Sequence, residues 1–182
     1  MRERTTTVAH WWKDPSWLAA AGALLVGVSA LVVSVYQATI MREQQRMSVW
    51  PQLNISNDNS AGLLVTNNGV GPALIRHAVV TVDGEAVKNW RKMFEAFHVN
   101  PDGNFGVTTI TGRVLPVDRE ISMLKVAAPE LVSTLRANLS RVEVDICYCS
   151  IYGDCYLLKS ARDDKTIKVD QCSVDSKLAF EN

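Results

Sequence analysis

The segment ICYCSIYGDCYLL, Ile146–Leu158, has the pattern of a β-hairpin. Successive side chains of a strand lie on opposite faces, so Tyr148 lies on one face while Cys147 and Cys149 share the other. A three-residue loop that ends in Gly153 has glycine at the position that needs a left-handed backbone conformation. The segment therefore predicts two antiparallel strands joined by a tight loop.

The loop also sets the register of the two strands. It places an aromatic pair and an aliphatic pair on one face, and a charge pair and a cysteine pair on the other: Tyr148 with Tyr156, Ile146 with Leu158, Asp145 with Lys159, and Cys149 with Cys155. Each pair is favourable across two strands. Opposed residues with Cα atoms ~4.5 Å apart are within disulfide range, so we expect a Cys149–Cys155 bond.

The other two of the four cysteines are Cys147 and Cys172. An even cysteine count in a domain expected outside the cytoplasm favours a second bridge between them. The alternative is chemical, because the thiolates of Cys147, Cys149 and Cys155 form a soft-metal ligand set. Their C-x-C spacing resembles that of the copper-delivery assembly factors of cytochrome oxidase, which also join an anchor helix to an immunoglobulin-like domain. The residues around it do not match that family.

Further strand-like runs fill most of the chain after residue 51. Turn-forming sequences such as NNGVGP, VDGE and NPDGNFG separate them. Two helical insertions are expected, at Val87–Phe97 and Pro129–Ala137. The predicted strands are Gln52–Ser56, Gly62–Asn67, Pro72–Val82, Gly106–Leu115, Glu120–Val126, Arg141–Ile151, Cys155–Lys159 and Thr166–Asp170. Short antiparallel strands of this number predict a mainly β fold, an immunoglobulin-like sandwich with short helical insertions.

A long apolar segment precedes this domain. No charged residue occurs from Pro15 to Met41, and the run Trp17–Tyr36 is apolar apart from two serines. About 20 such residues in a helix span the hydrocarbon core of a bilayer. We predict one uncleaved transmembrane helix that ends before Trp50, with Trp11, Trp12 and Trp17 at the membrane interface. The alternatives are a cleaved signal peptide and a core helix of a soluble fold.

The expected organisation has three parts: a short tail over residues 1–14, the transmembrane helix with its membrane-proximal extension over 15–47, and the β-sandwich domain over 48–182. Three basic residues precede the apolar run and two follow it closely, which favours a cytoplasmic N-terminus. The C-terminal domain is then extracytoplasmic, and periplasmic if the cell is Gram-negative. The bilayer is one predicted partner.

The stretch NNGVGPALIRHAVVTVDG, with SVWPQL before it, resembles uncharacterised bacterial single-pass membrane proteins that carry a small β-sandwich domain. The resemblance implies an architecture and no activity. Gly69, Gly71 and Pro72 also fit a tight connection between two strands, so we interpret them as structural.

Composition and motifs limit the class of function. The formal net charge is zero, with acids and bases interspersed, which argues against a nucleic-acid partner. We find no nucleophile-elbow, zinc-protease or phosphate-loop motif, and we predict no catalytic residue, cofactor or metal. The sequence favours a non-enzymatic interaction or accessory domain, a candidate subunit of a larger membrane complex, that binds another membrane or extracytoplasmic protein. The alternative is a copper-handling or thiol-redox assembly factor.

Overall fold

The structure is a computed structural model that describes residues 15–58, 62–101, 105–160, 165–175 and 178–181. The chain divides into two compact units, of which the first ends at Gln45 and the second begins at Arg46. The first contains most of helix α1, Pro15–Met47. This helix is long and apolar enough to cross a membrane, with a mean hydropathy of 2.4 in its most apolar window and none of that window buried.

Ten strands and two further helices form the second unit among the described residues. In chain order they are β1 (Leu53–Asp58), β2 (Gly62–Asn67), β3 (Ala73–Val82), β4 (Glu85–Val87), α2 (Trp90–Ala96), β5 (Phe105–Val107), β6 (Val114–Leu115), β7 (Glu120–Val126), α3 (Pro129–Asn138), β8 (Val142–Cys149), β9 (Cys155–Lys159) and β10 (Lys165–Val169). The chain is mainly β, and the strand pairs are antiparallel.

The strands form two sheets. One has the order β1-β2-β7-β5, and the other has the order β10-β9-β8-β3-β4, with β6 also paired to β3. Apolar side chains from both sheets belong to one buried core, in which Val65, Leu124, Ile146 and Tyr148 have no exposed surface. Helix α2 adds Met93 and Phe94 to this core.

The predicted hairpin is confirmed in its register. Strands β8 and β9 pair Tyr148 with Tyr156, Cys149 with Cys155 and, at the other end, Asp145 with Lys159. Gly153 has φ +83° in the connecting loop. The loop closes with a hydrogen bond in which the Ser150 amide donates to the Asp154 carbonyl at 2.8 Å.

Two predictions of local structure were wrong. The run Gly106–Leu115 is not one strand, since β5 and β6 lie in different sheets and a turn with Gly112 at φ +76° separates them. The chain passes from one sheet to the other between β5 and β6, and Ile110, which lies in this connection, is buried. The first helical insertion begins at Trp90 because the Asn89 side chain caps it by accepting from the Lys92 amide. Val87 lies in β4 instead.

The loop NNGVGP, residues 67–72, packs against the segment Val49–Gln52 that follows α1. Asn68 and Val70 donate their amides to the carbonyls of Gln52 and Trp50, at 2.8 and 2.9 Å. A Cβ atom on Gly71 would lie 2.0 Å from the Val49 carbonyl oxygen. Gly69 and Gly71 lie in the short connection between β2 and β3, as predicted, and neither has a positive φ. They are required by the close approach of a second backbone.

Asn67 holds the same region together from inside. Its side chain is fully buried, and its oxygen accepts from the amides of Gln52 and Gly69 at 3.2 and 3.0 Å. Its nitrogen donates to the carbonyls of Gly71 and Leu115 at 2.8 and 3.0 Å. Four backbone groups from three separate segments thus depend on one amide side chain.

Candidate functional site

A cleft lies on the outer face of the six-stranded sheet, the face that points away from the shared core. Its volume is about 440 Å³, within the range of ligand-binding pockets in proteins. Strands β3, β8 and β9 form its floor, and the segment that follows β10 forms one wall. The residues that define it best are His77, Val79, Asp145, Leu157, Val174 and Leu178.

A β-bulge directs His77 into this cleft. The pairing of β3 with β8 shifts between Ile75 and His77, so that Arg76 is the extra residue. Before the shift Ala73 and Ile75 are buried, and after it Ala78 and the following even positions are buried. Without the extra residue, the alternation of a strand would place His77 inward. The bulge therefore keeps both halves of β3 packed while it places the imidazole outside the core.

Burial changes the charge balance inside the cleft. It lowers the pKa of His77 below its usual value of 6.5, so the imidazole is neutral at pH 7 and has one donor and one acceptor nitrogen. Burial raises the pKa of Asp145, and the nearby charge of Lys159 opposes that change. The Lys159 amine lies 4.0 Å from the Asp145 carboxylate. The cleft thus combines apolar side chains with the imidazole of His77 and the carboxyl groups of Asp145 and Asp175.

The sequence interpretation missed His77 and Asp145 as site residues. The sequence predicted His77 only as part of the strand Pro72–Val82, and Asp145 only as the partner of Lys159 across the hairpin. The signal was present in ALIRHAVVTV, Ala73–Val82, where the apolar alternation changes phase between Ile75 and Ala78. Such a change of phase indicates a bulge, and bulges are common beside functional sites.

Two disulfides lie beside the cleft. Cys147 in the floor strand β8 is bonded to Cys172 in the wall, with their Cα atoms 5.7 Å apart, and Cys149 is bonded to Cys155 across the floor strands β8 and β9. The first pair was predicted from the even cysteine count and the second from the hairpin register. The face that carries Cys147 and Cys149 was expected to be polar and outward, yet both side chains are 3% exposed. They are buried because the segment around Cys172 crosses over them.

The two disulfides lie close together. The sulfur atoms of Cys149 and Cys172, which belong to different bonds, are 3.8 Å apart. The sulfurs of Cys149, Cys155 and Cys172 all lie within 4.8 Å of one another. The alternative metal set predicted from the sequence was Cys147, Cys149 and Cys155, so the geometry brings Cys172 into the group in place of Cys147.

The remaining predicted site residues concern the membrane interface. Trp17 lies in the first turn of α1 with 40% of its surface exposed. Trp11 and Trp12 lie outside the described residues. Their position at a bilayer surface stays a prediction.

Comparison with known proteins gives this chain no relatives: no protein-family model, curated protein or solved structure matches it. The resemblance to bacterial single-pass proteins therefore stays a prediction.

We expect the two disulfides to differ in their effect on stability. Replacing both Cys147 and Cys172 by Ser should lower the free energy of unfolding by about 3 kcal/mol, since their bond closes a long loop in the unfolded chain. The matched double replacement of Cys149 and Cys155 should cost about 2 kcal/mol in the same chain-entropy model. The sequence separations are 25 and 6. Denaturant unfolding of the full chain in detergent micelles, followed by near-ultraviolet circular dichroism, measures both.

Neither replacement should release the protein from membranes. The state of the cysteines is checked on the unsubstituted protein by intact mass with and without reductant, together with metal analysis. Four thiols that alkylate without reductant, with about one copper or zinc per chain, would contradict the disulfide assignment and favour the ligand set of Cys149, Cys155 and Cys172.

Proposed function

We propose that this chain is a single-pass membrane protein whose C-terminal domain is a non-enzymatic interaction module. The exposed apolar helix α1 supports the anchor, and the slight excess of basic residues before it supports a cytoplasmic N-terminus. Disulfides persist in oxidising compartments, so the two bonds support an extracytoplasmic domain. The two antiparallel sheets with one core support an immunoglobulin-like sandwich.

The observation that carries the proposal is the open cleft above β3, β8 and β9. Its apolar floor and wall suit a short apolar segment of another protein, and the neutral His77 suits a hydrogen bond to a peptide amide. The partner that we infer is another membrane or extracytoplasmic protein, because the anchor holds the domain beside the bilayer. In this proposal the domain acts as an accessory subunit that recruits or positions that protein.

The proposal is tested by photocrosslinking from the cleft in native membranes. Leu178, which lies in the cleft and is 47% exposed, is replaced by a photoreactive amino acid. In a matched control the same amino acid replaces Val107, which is 44% exposed and lies on the other sheet. We expect a defined protein adduct from position 178 and none from position 107. Shortening two floor residues, Val79→Ser with Leu157→Ser, should reduce the adduct about tenfold, the effect of losing about 1.4 kcal/mol of apolar contact.

Near-ultraviolet circular dichroism shows whether the doubly substituted floor still folds. Equal protein adducts from positions 178 and 107 would contradict a role for the cleft in protein binding. If a small molecule bound at position 178 and the chain converted it chemically, the result would contradict an interaction module and indicate an enzyme.

A second function is favoured by one observation, the sulfur group of Cys149, Cys155 and Cys172 within 4.8 Å. If both disulfides were reduced, three thiolates would be close enough to hold one soft metal ion. We propose copper handling or thiol-redox assembly as this second candidate. The mass and metal measurement described above separates it from the first.

A further inference from the structure

Six exposed apolar side chains lie together at one end of the β domain. Beyond α1, eight large apolar residues are exposed in the described part of the chain. Two of them, Val107 and Leu178, belong to β5 and to the cleft. The other six are Trp50, Val70, Val114, Val117, Ile151 and Tyr152. We call the end that carries these six the proximal end, because it also contains Ser48–Pro51, the residues that follow α1.

The strand pairing shows that these residues share one end. Leu74 pairs with Cys149 on one side and with Val114 on the other, so the start of β3, the β8–β9 loop and β6 lie side by side. The Val70 amide donates to the Trp50 carbonyl at 2.9 Å. The Trp50 ring lies 6.3 Å from that of Tyr156, the residue after Cys155. Loops that are far apart in the sequence thus present their apolar tips together.

The length of α1 places the chain at the bilayer surface where it joins this end. The first charged residue after the apolar run is Arg42, and the helix continues to Met47. The six residues from Arg42 to Met47 correspond to about 9 Å of helix. The headgroup layer on each side of the hydrocarbon is ~5 to 8 Å thick. Ser48 and Trp50 therefore follow the helix at the outer boundary of the headgroups.

We propose that the proximal end docks on the lipid surface, with Trp50 and Tyr152 in the headgroup layer. This proposal rests on the membrane anchor and is independent of the cleft. Trp and Tyr are the side chains that favour the membrane interface, and the aliphatic side chains of Val70 and Ile151 add apolar area. The anchor makes the contact intramolecular, so a small apolar patch is sufficient to keep the domain on the surface.

The opposite end of the domain has a different character. The β3–β4 turn and the start of β8 carry Asp83, Glu85 and Arg141, and the Arg141 guanidinium pairs with the Asp83 carboxylate. Its exposed residues include no large apolar side chain among those described. The exposed apolar side chains are therefore concentrated at the proximal end, where the chain enters the domain from α1, whereas the opposite end carries charged residues.

The test uses the full chain in lipid nanodiscs that contain a headgroup nitroxide lipid, which quenches tryptophan at the membrane surface. Trp11, Trp12, Trp17 and Trp50 are replaced by Phe, which leaves Trp90, a buried residue with 3% exposure. One reporter is then added, either Tyr152→Trp at the proximal end or Ala86→Trp at the opposite end. We expect the quenching of the first reporter to exceed that of the second by at least threefold, with its emission shifted to the blue.

Equal quenching of the two reporters would overturn the proposal, and so would failure of the chain to remain with the lipid. A second measurement avoids substitutions altogether: photoactivatable headgroup lipid is crosslinked to the natural sequence, and the adducts are mapped by mass spectrometry. Adducts at residues 68–72 and 150–154, with none at 83–87, are the expected result. An absence of lipid adducts at residues 68–72 and 150–154 would also overturn the proposal.

Discussion

Replacing Gly71 by Ala is expected to lower the free energy of unfolding by about 4 kcal/mol, above the usual 1–3 kcal/mol for overpacking. The added Cβ atom would lie 2.0 Å from the Val49 carbonyl oxygen and 2.6 Å from the Val49 Cα atom. Both contacts are with backbone, which has no alternative rotamer to adopt. The NNGVGP loop would have to separate from the chain that follows α1, and the hydrogen bond between Val70 and Trp50 would be lost.

Gly106→Ala is the matched control for this experiment. A Cβ atom at Gly106 would lie 4.0 Å from its nearest neighbour, the Lys125 carbonyl oxygen. Gly106 lies in the edge strand β5 and does not have a positive φ. Its stability should change by less than about 0.5 kcal/mol. Thermal unfolding of both variants in detergent micelles, read by near-ultraviolet circular dichroism, gives the comparison. A Gly71→Ala protein as stable as its Gly106→Ala counterpart would show that the loop does not enclose Val49–Gln52.

Replacing Asn67 by Leu is expected to cost about 4 kcal/mol, although the two side chains have similar size. The leucine would leave the amides of Gln52 and Gly69 without the acceptor they share. It would also leave the carbonyls of Gly71 and Leu115 without a donor. Each buried backbone group that loses its partner costs about 1–3 kcal/mol, and Gly69, Gly71 and Leu115 are buried whereas Gln52 is exposed. The loss is therefore electrostatic and not a matter of volume.

The neighbouring exposed residue supplies the control, because Asn68→Leu changes the same residue type in the same loop without removing a buried hydrogen bond. Chemical denaturation measured at several pH values extends the test to Asn67→Asp. That variant keeps the acceptor but places a carboxylate beside two carbonyls, so it should be less stable at pH 7 than at pH 4. An Asn67→Leu protein with natural stability would mean that the four backbone groups have other partners.

The sequence predicted local features well where two independent patterns agreed. In the β8–β9 hairpin the loop glycine and the cross-strand pairs both fix one register, and that register is present. The end of α1 was predicted because Pro51 disfavours helix at Trp50. The mainly β character followed from the alternation of short runs. Each of these features depends on neighbours within about a dozen residues.

Features that depend on distant segments were not predicted. The run Gly106–Leu115 alternates like one strand, and nothing local shows that the chain changes sheets within it. The Cys147 side of β8 looked exposed because the segment that covers it begins more than 20 residues later. The roles of Asn67 and Gly71 likewise depend on chain that lies 15 or more residues earlier. An immunoglobulin-like topology stays a prediction for the same reason, since strand order is a long-range property.

The way in which the chain leaves α1 also determines how the protein carries mechanical load. A pull on the anchor reaches the domain at Ser48–Gln52, and this segment is clamped by the amides of Asn68 and Val70 before β1 begins. The same force would meet these two hydrogen bonds before it reached the first pair of β1 with β2, Leu53 with Asn67. A domain joined by a loose linker would instead peel open one bond at a time. If α1 is the proposed anchor, a load applied through it would reach the clamped segment Ser48–Gln52 before the edge strand β1.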